Sequence, residues 1–172
     1  MCGFLTLKSL NYNNPELFNI SGFSRVNNNN ILSDVLHTLD NAQVFTDSGL
    51  IDINKIDSNI HTIDNNKIIG LTKTVSLDKF LICFEKDSID KNIPNKRTIV
   101  SKKQKIYYNE KFIEAINLIN NQNIIKINYY DNKILYNILM ENYNTMIVNN
   151  MVVDTLHPNN IVAQLYLLNS YK

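Results

Sequence analysis

Along most of the chain, apolar residues alternate with polar ones in short runs, the pattern of β-strands that bury one face. In residues 124–130, Ile125, Ile127 and Tyr129 fall on one face, and Lys126 and Asn128 fall on the other. Comparable runs occupy residues 2–10, 44–53, 60–64, 68–73, 79–85, 97–101, 134–141, 145–148 and 151–156. The sequence therefore predicts a mostly β fold.

Short asparagine-rich segments separate these runs. Asn149-Asn150 lies between two apolar runs and is typical of a two-residue hairpin turn, as is Asn65-Asn66. Asp131-Asn132 and residues 142–144 interrupt the chain in the same way. Hairpin turns join neighbouring antiparallel strands, so the chain after residue 124 predicts a C-terminal β-meander. Residues 161–168 fit either a last strand or a short helix.

One stretch has helical spacing instead. Between residues 109 and 121 the apolar side chains recur at intervals of three and four, which places them on one face of a helix. Asn109 would cap this helix, and Glu110 would lie in its first turn against the positive end of the dipole. The residues on the apolar face are Phe112, Ile113, Ala115, Ile116 and Ile119. We predict one well-defined helix at about 109–121.

The start of this helix carries the polar pair with the clearest chemistry, Tyr107 and Lys111. If the helix begins by Tyr107, the two share a face; if it begins at Asn109, Tyr107 ends a strand and still lies beside Lys111. An ammonium group favours the phenolate of a neighbouring tyrosine and neutralises a phosphate. With a histidine, the pair would form a metal-free set for breaking a phosphodiester. The alternative is a chance spacing, with a solvated lysine beside a packed tyrosine.

Length and charge limit the classes of function. A chain of 172 residues fits a single domain, 1–172, and the polar loop around Pro94 suggests two lobes, 1–90 and 97–172. The 17 basic residues nearly balance the 16 acidic ones, which argues against a protein that binds long nucleic acids. A local cluster of charges is still sufficient for a small anionic ligand.

Cysteine and histidine usage predicts a reducing compartment and neither a metal nor a cofactor. Cys2 and Cys83 form no CxxC pair, and the three histidines lack metal-ligand spacing. No apolar run reaches the length of a membrane span, and the first ten residues lack the basic start of a signal peptide. We expect an intracellular protein without a membrane partner. Abundant Asn, Ile, Lys and Tyr, which have AT-rich codons, suggest an AT-rich genome such as that of many insect and giant viruses.

Two nucleophile hypotheses have less support. Removal of Met1 would expose Cys2, and Cys2-Gly3-Phe4 resembles the opening of the class II glutamine amidotransferases, in which the free amine serves as base to the thiol. A small residue at the start of a buried strand is the favoured explanation of Cys2. A serine or cysteine protease of two β-barrels would need a Gly-x-Ser-Gly or Gly-x-Cys-Gly turn, and none follows Ser101.

Residues 105–151 resemble the poxins, viral nucleases of poxviruses and insect viruses that degrade the immune messenger 2′,3′-cGAMP. The segment Tyr107-Tyr108-Asn109-Glu110-Lys111 matches the family's Tyr-x-x-x-Lys, and an apolar strand, a short turn and a meander follow it. The resemblance implies a trypsin-like arrangement of two β-barrel lobes and cleavage without metal. It also implies that Tyr107 and Lys111 are two of three catalytic residues and that the protein counters host immunity in the host cytoplasm.

The third catalytic residue in this family is a histidine, and two registers compete for it. His37 takes the role of general base in one register; in the other, Phe18 stands at the histidine position and the site is incomplete. We predict Lys105, Tyr129 and Arg97 as substrate-binding residues. The predicted partners are a small anionic nucleotide and a second copy in a homodimer. The alternative function is a non-catalytic viral protein that sequesters the nucleotide or binds a host factor.

Overall fold

The structure is a computed structural model that describes residues 42–75, 78–120, 122–128 and 134–170. This part of the chain is mostly β, which confirms the predicted class. Its strands are β1 (Gln43–Thr46), β2 (Gly49–Asp52), β3 (Thr62–Ile63), β4 (Asn66–Val75), β5 (Phe80–Phe84), β6 (Thr98–Val100), β7 (Lys105–Tyr108), β8 (Lys111–Glu114), β9 (Ile124–Asn128), β10 (Ile134–Met140), β11 (Thr145–Val148) and β12 (Met151–Asp154). One α-helix, α1 (Ile161–Ser170), and two short 3₁₀ turns, Ile53–Lys55 and Ala115–Leu118, complete the described elements.

The described strands form three antiparallel sheets. The largest has six strands in the order β2-β1-β11-β12-β7-β8, and the other two have the orders β10-β4-β3 and β6-β5-β9. None of these sheets closes into a barrel within the described residues. Each sheet combines strands from before and after residue 97, so strand pairing does not follow the boundary that suggested two lobes. The division into lobes stays a prediction.

A single large core lies beneath the six-stranded sheet. Alternating residues of the sheet turn inward, and all of the following are almost fully buried: Val44, Ile106, Met146, Val148, Met151 and Val153. In the same core cluster, the other two sheets contribute side chains such as Ile68, Phe84 and Ile138. The opposite face of the six-stranded sheet carries the intervening residues, and it is this outer face that carries the candidate site.

Residues 161–168, which fit either a strand or a helix by sequence, belong to helix α1. Asn160 caps its start, because the side-chain oxygen accepts a hydrogen bond from the backbone N–H of Val162 at 2.9 Å. The helix packs against β4 and β10 through a small cluster that includes Leu139 and Val162. Gly70 on β4 permits this approach, since a Cβ there would lie 2.2 Å from the ring of Tyr166.

The predicted helix at 109–121 is wrong. Asn109 and Glu110 have φ values of 49° and 63°, which no right-handed helix contains, and they form the turn of the β7–β8 hairpin. Lys111–Glu114 is a strand, and only Ala115–Leu118 makes a 3₁₀ turn. The stretch is rich in isoleucine, which has low helix and high strand propensity, and pairing with β7 determines its conformation.

The predicted meander is only partly correct. The strands occur near the predicted positions, but β9 pairs with β5 and β10 pairs with β4, both distant along the chain. Among the strands β9 to β12, only β11 and β12 are consecutive partners, joined by Asn149-Asn150 as predicted. Strands that bury most of their residues, such as β10, need neighbours and covering layers that a simple meander does not supply.

Candidate functional site

An open cleft of about 430 Å³ lies at the end of β12 on the outer face of the six-stranded sheet. The loop before β7, the two strands β7 and β8, and the segment between β12 and α1 surround it. Its walls carry carboxylate, phenol, imidazole, ammonium and amide groups, contributed by Lys103, Lys105, Glu114, Tyr143, Asp154, His157, Asn159 and Asn160. We name it the Asp154 cleft.

Asp154 is the most constrained side chain in this cleft. It ends β12 and is only 1% exposed, although alternation along the strand turns it toward the outer face. Its Oδ1 accepts hydrogen bonds from Gln104 Nε2 at 2.7 Å and from the backbone N–H of Lys105 at 3.1 Å. Its Oδ2 accepts the phenol of Tyr143 at 2.8 Å. The carboxylate is therefore fixed by three donors from two different parts of the chain.

Burial controls the ionisation of this carboxyl group. Loss of solvent raises the pKa of Asp154 above its ordinary value, although the hydrogen bonds from Tyr143 and from the backbone of Lys105 lower it. Burial also raises the pKa of the Tyr143 phenol, and its hydrogen bond to Asp154 raises it further. Tyr143 thus keeps its proton and points it at Asp154, which accepts a proton more readily than an exposed aspartate would.

Gln104 supports the carboxylate from inside the protein. It is completely buried, and its Nε2 donates both to the backbone oxygen of Asp154, at 2.9 Å, and to Oδ1. Among the described residues, the side-chain oxygen of Gln104 has no hydrogen-bond partner. The amide is oriented by Asp154, because the opposite orientation would place two acceptors against each other.

His157 stacks on the ring of Tyr143, with 4.9 Å between ring centroids and a 42° angle between planes. Its Nδ1 accepts a hydrogen bond from the backbone N–H of Asn159 at 3.1 Å. In the neutral imidazole, the proton therefore lies on Nε2. His157 can donate a hydrogen bond from Nε2 to an anionic group, and in this tautomer it does not offer Nε2 as a base.

Two lysines give the cleft cationic groups. Lys105 lies on the outer face of β7, where its partner across the hairpin is Glu114, and Lys103 precedes β7 in the same wall. Ammonium groups attract phosphate oxygens, and asparagine side chains at positions 159 and 160 add amide groups to the lining of the cleft. The cleft can hold a small ligand that carries both a phosphate and hydroxyl groups.

The structure places the predicted catalytic pair on opposite faces of the β7–β8 hairpin. Tyr107 is the cross-strand partner of Phe112, and Lys111 is the partner of Tyr108. Partners share a face and successive residues alternate, so Tyr107 points to the outer face and Lys111 to the other. Tyr107 packs edge-on against Phe112, with 5.3 Å between centroids. The hairpin does not bring Tyr107 and Lys111 together.

Of the predicted substrate-binding residues, Lys105 lines the cleft and Arg97 does not. Arg97 instead donates to Cys83 Sγ at 3.1 Å and pairs with Glu85 at 3.2 Å, beside β5. Tyr129 lies outside the described residues, as do His37 and Phe18, the two alternatives for the histidine position. The predicted set of His37, Tyr107 and Lys111 therefore stays a prediction.

Sequence reasoning missed the central residues of the cleft, Asp154 and Tyr143. Val152-Val153-Asp154 offers one signal, a carboxylate that ends an apolar strand directly before the break His157-Pro158. Nothing in the sequence shows that Gln104, 50 positions away, would bury that carboxylate. The network depends on the β12–β7 pairing, which is long-range.

No known family model matches this chain, and no curated protein matches it closely. Within residues 42–75, 78–120, 122–128 and 134–170, no three His, Cys, Asp or Glu side chains group so that they could hold a metal ion. The same ranges contain no helix with the length and apolar character needed to cross a bilayer.

Proposed function

We propose that the protein binds a cyclic dinucleotide such as 2′,3′-cGAMP in the Asp154 cleft and cleaves it without a metal ion. The observation that carries this proposal is the hydrogen bond between the buried Asp154 and the more exposed Tyr143, together with two lysines in the same open cleft. A small nucleotide needs cationic groups for its phosphates, and metal-free cleavage needs a base for a ribose hydroxyl. The resemblance of residues 105–151 to the poxins supports the same substrate class.

The proposed chemistry is attack by a ribose hydroxyl on the neighbouring phosphorus. The hydroxyl passes its proton to the Tyr143 oxygen, while Tyr143 passes its own proton to Asp154 Oδ2 along the existing 2.8 Å hydrogen bond. The hydroxyl oxygen forms the new P–O bond, and the opposite oxygen leaves with its electron pair and takes a proton from water. Lys105 and Lys103 stabilise the charge on the phosphate in the transition state.

The direct test is incubation of purified protein with 2′,3′-cGAMP and EDTA, with products followed by chromatography. Tyr143→Phe removes the hydroxyl that passes the proton but keeps the ring on His157, and we expect a loss of about 100-fold or more in rate. Tyr108→Phe, on the opposite face of β7, is the matched control and should keep full activity. Absence of turnover, or full turnover by Tyr143→Phe, would contradict the mechanism.

A second pair of variants tests whether cleavage depends on the Asp154 cleft or on Tyr107 and Lys111, the catalytic pair that the resemblance implies. Lys105→Ala should weaken activity about tenfold or more, because it removes a phosphate contact. Lys111→Ala, which removes the same charge on the other face of the hairpin, should have little effect. The reverse result would remove the Asp154 cleft from the mechanism and assign the chemistry to Lys111.

The placement of Tyr107 and Lys111 on opposite faces favours a second candidate function, binding without cleavage. If the catalytic set is incomplete, the cleft would sequester the nucleotide and still deny it to its receptor. Calorimetry with 2′,3′-cGAMP beside the turnover assay distinguishes the two functions: binding without product supports sequestration. In either case we propose a viral protein that counters nucleotide-based immunity in the host cytoplasm.

A further inference from the structure

Tyr143 and His157 form an aromatic surface in the wall of the Asp154 cleft. Tyr143 is 43% exposed, and His157 is also exposed. With 4.9 Å between ring centroids and 42° between planes, Tyr143 covers one side of the imidazole, so the His157 ring still offers aromatic surface to the cleft. Nucleobases stack on exposed aromatic rings of this kind, histidine included.

Both rings are held in place before any ligand binds. The Tyr143 phenol donates to Oδ2 of the buried Asp154 at 2.8 Å. His157 Nδ1 accepts a hydrogen bond from the backbone N–H of Asn159 at 3.1 Å. A planar group that stacks on these rings therefore orders no loose side chain, which lowers the entropic cost of binding.

The hydrogen bond to Asn159 also argues against a role of His157 in proton transfer. An imidazolium carries a proton on each nitrogen, and a proton on Nδ1 would face the Asn159 N–H. The neutral ring keeps its proton on Nε2, and its one free lone pair, on Nδ1, already accepts from Asn159. His157 therefore offers a ligand its ring and a hydrogen-bond donor at Nε2.

The charges of the cleft make a contact of this kind important for affinity. Lys103 and Lys105 line the cleft together with two carboxyl groups, those of Glu114 and Asp154. The carboxyl groups offset part of the attraction that the lysines exert on a phosphate. A sugar phosphate gains only this reduced attraction, whereas a nucleotide adds the stacking of its base.

We propose that His157 is the nucleobase-binding residue of the Asp154 cleft, on whose ring the base stacks while the phosphate interacts with the lysines. The base, more than the phosphate, then determines which small phosphate compounds bind. Stacking accepts every base, so the cleft takes nucleotides as a class. This inference rests on the proposed function, because it places the nucleotide in the same cleft.

Calorimetry with AMP and with ribose 5-phosphate measures the contribution of the base, since both compounds contain ribose and a 5′-phosphate. We expect the wild type to bind AMP about tenfold or more tightly than ribose 5-phosphate. His157→Ser removes the ring and should abolish this preference, whereas His157→Phe keeps an aromatic ring and should retain it. If His157→Phe loses the preference as His157→Ser does, the nitrogens of His157 make the contact and the stacking role is wrong.

His61→Ser is the matched control. His61 Nδ1 likewise accepts a backbone N–H, that of Asp57 at 2.9 Å, but His61 is not among the residues that line the cleft. This variant should keep the wild-type preference for AMP. Circular dichroism of each variant checks the fold.

Equal affinity for the two compounds, or no detectable binding of AMP at millimolar concentration, overturns the inference. A preference for AMP that His157→Ser leaves unchanged also overturns it. Turnover of 2′,3′-cGAMP tests the proposed cleavage separately. A preference for AMP that depends on His157, without turnover, supports the stacking role and contradicts the cleavage; turnover without that preference does the reverse.

Discussion

Two hairpins lie side by side in the six-stranded sheet and have the same turn geometry, but very different surroundings. The central hairpin, β11–β12, turns at Asn149-Asn150, and the edge hairpin, β7–β8, turns at Asn109-Glu110. All four turn residues have φ between 48° and 69°, as two-residue type I′ turns require. Together they distinguish the stability that a turn sequence gives its own hairpin from the stability that contacts with the rest of the fold give it.

The central hairpin is fixed by tertiary contacts. Asn149 is 1% exposed, its Oδ1 accepts the backbone N–H of Gln43 at 2.9 Å, and its Nδ2 donates to Thr98 Oγ1 at 2.7 Å. In the edge hairpin, Asn109 and Glu110 are both exposed, and β12 is its only partner among the described strands. The central turn therefore connects its own hairpin to β1 and β6, whereas the edge turn closes only its own hairpin.

The largest effect we expect comes from Asn149→Ala. The substitution leaves the part-buried N–H of Gln43 without its acceptor, removes the buried hydrogen bond to Thr98 Oγ1 and puts alanine in a left-handed conformation, at a total cost of about 3 kcal/mol. Urea denaturation measures the free energy of unfolding. A loss below about 1 kcal/mol would mean that tertiary contacts do not fix this turn.

Asn109→Ala is the matched change in the edge hairpin and should cost only about 1 kcal/mol. The φ of Asn109 is 49°, almost equal to the 48° of Asn149, so the left-handed penalty is the same in both variants. The difference between the two losses, measured in the same urea titrations, isolates the buried hydrogen bonds of Asn149. Equal losses would contradict the comparison.

Glu110→Gly should stabilise the protein by about 0.5–1 kcal/mol. Glu110 has a φ of 63°, which glycine adopts without strain, and Asn-Gly is the preferred pair for this turn. Thermal denaturation should show a raised midpoint. A lowered midpoint would indicate that the Glu110 side chain makes a contact that outweighs the backbone strain.

The smallest effect on stability that we expect concerns Asp154. This residue ends the central hairpin, and its carboxylate accepts a hydrogen bond from the backbone N–H of Lys105, which starts the edge hairpin. Because burial raises its pKa, the folded protein keeps a proton that the unfolded chain has already lost. Stability should therefore fall as pH rises from about 4, the unfolded value, through the higher folded value.

Asp154→Asn removes this titration. The difference in unfolding free energy between wild type and variant, measured as a function of pH, therefore gives the contribution of Asp154 alone. Asp47 and Asp52, whose pKa values are lowered by hydrogen bonds from Thr62 and Lys55, act in the opposite direction in both proteins and cancel. A difference that is constant with pH would show that Asp154 does not titrate abnormally.

The two hairpins also show which parts of the fold can be predicted from sequence. Asn149-Asn150 between apolar runs predicts its turn correctly, and Asn65-Asn66 is one residue from the observed turn at Asp64-Asn65. Asn109-Glu110 fails as a turn signal because glutamate rarely adopts positive φ, and the apolar residues after it also fit a helical spacing. Pairing with β7 overrides that spacing, and a local pattern cannot reveal it.

The candidate site likewise contains a residue that the local sequence points to and others that come together only through long-range pairing. Lys105, which the sequence analysis names from the basic run before β7, lines the Asp154 cleft, and its role in binding stays a prediction. Asp154, Tyr143 and Gln104 come together only when β12 pairs with β7, so their network depends on long-range topology. The positions of Tyr107 and Lys111 likewise depend on the hairpin, since a four-residue spacing places two side chains on one face in a helix, whereas the register of this hairpin places them on opposite faces.

We propose above that nucleotide chemistry occurs in the Asp154 cleft. The most direct measurement compares 2′,3′-cGAMP turnover in EDTA by the wild type, Tyr143→Phe and Lys111→Ala. We expect turnover by the wild type, a loss of about 100-fold in Tyr143→Phe and near-normal activity in Lys111→Ala. Full activity in Tyr143→Phe together with an inactive Lys111→Ala would contradict it.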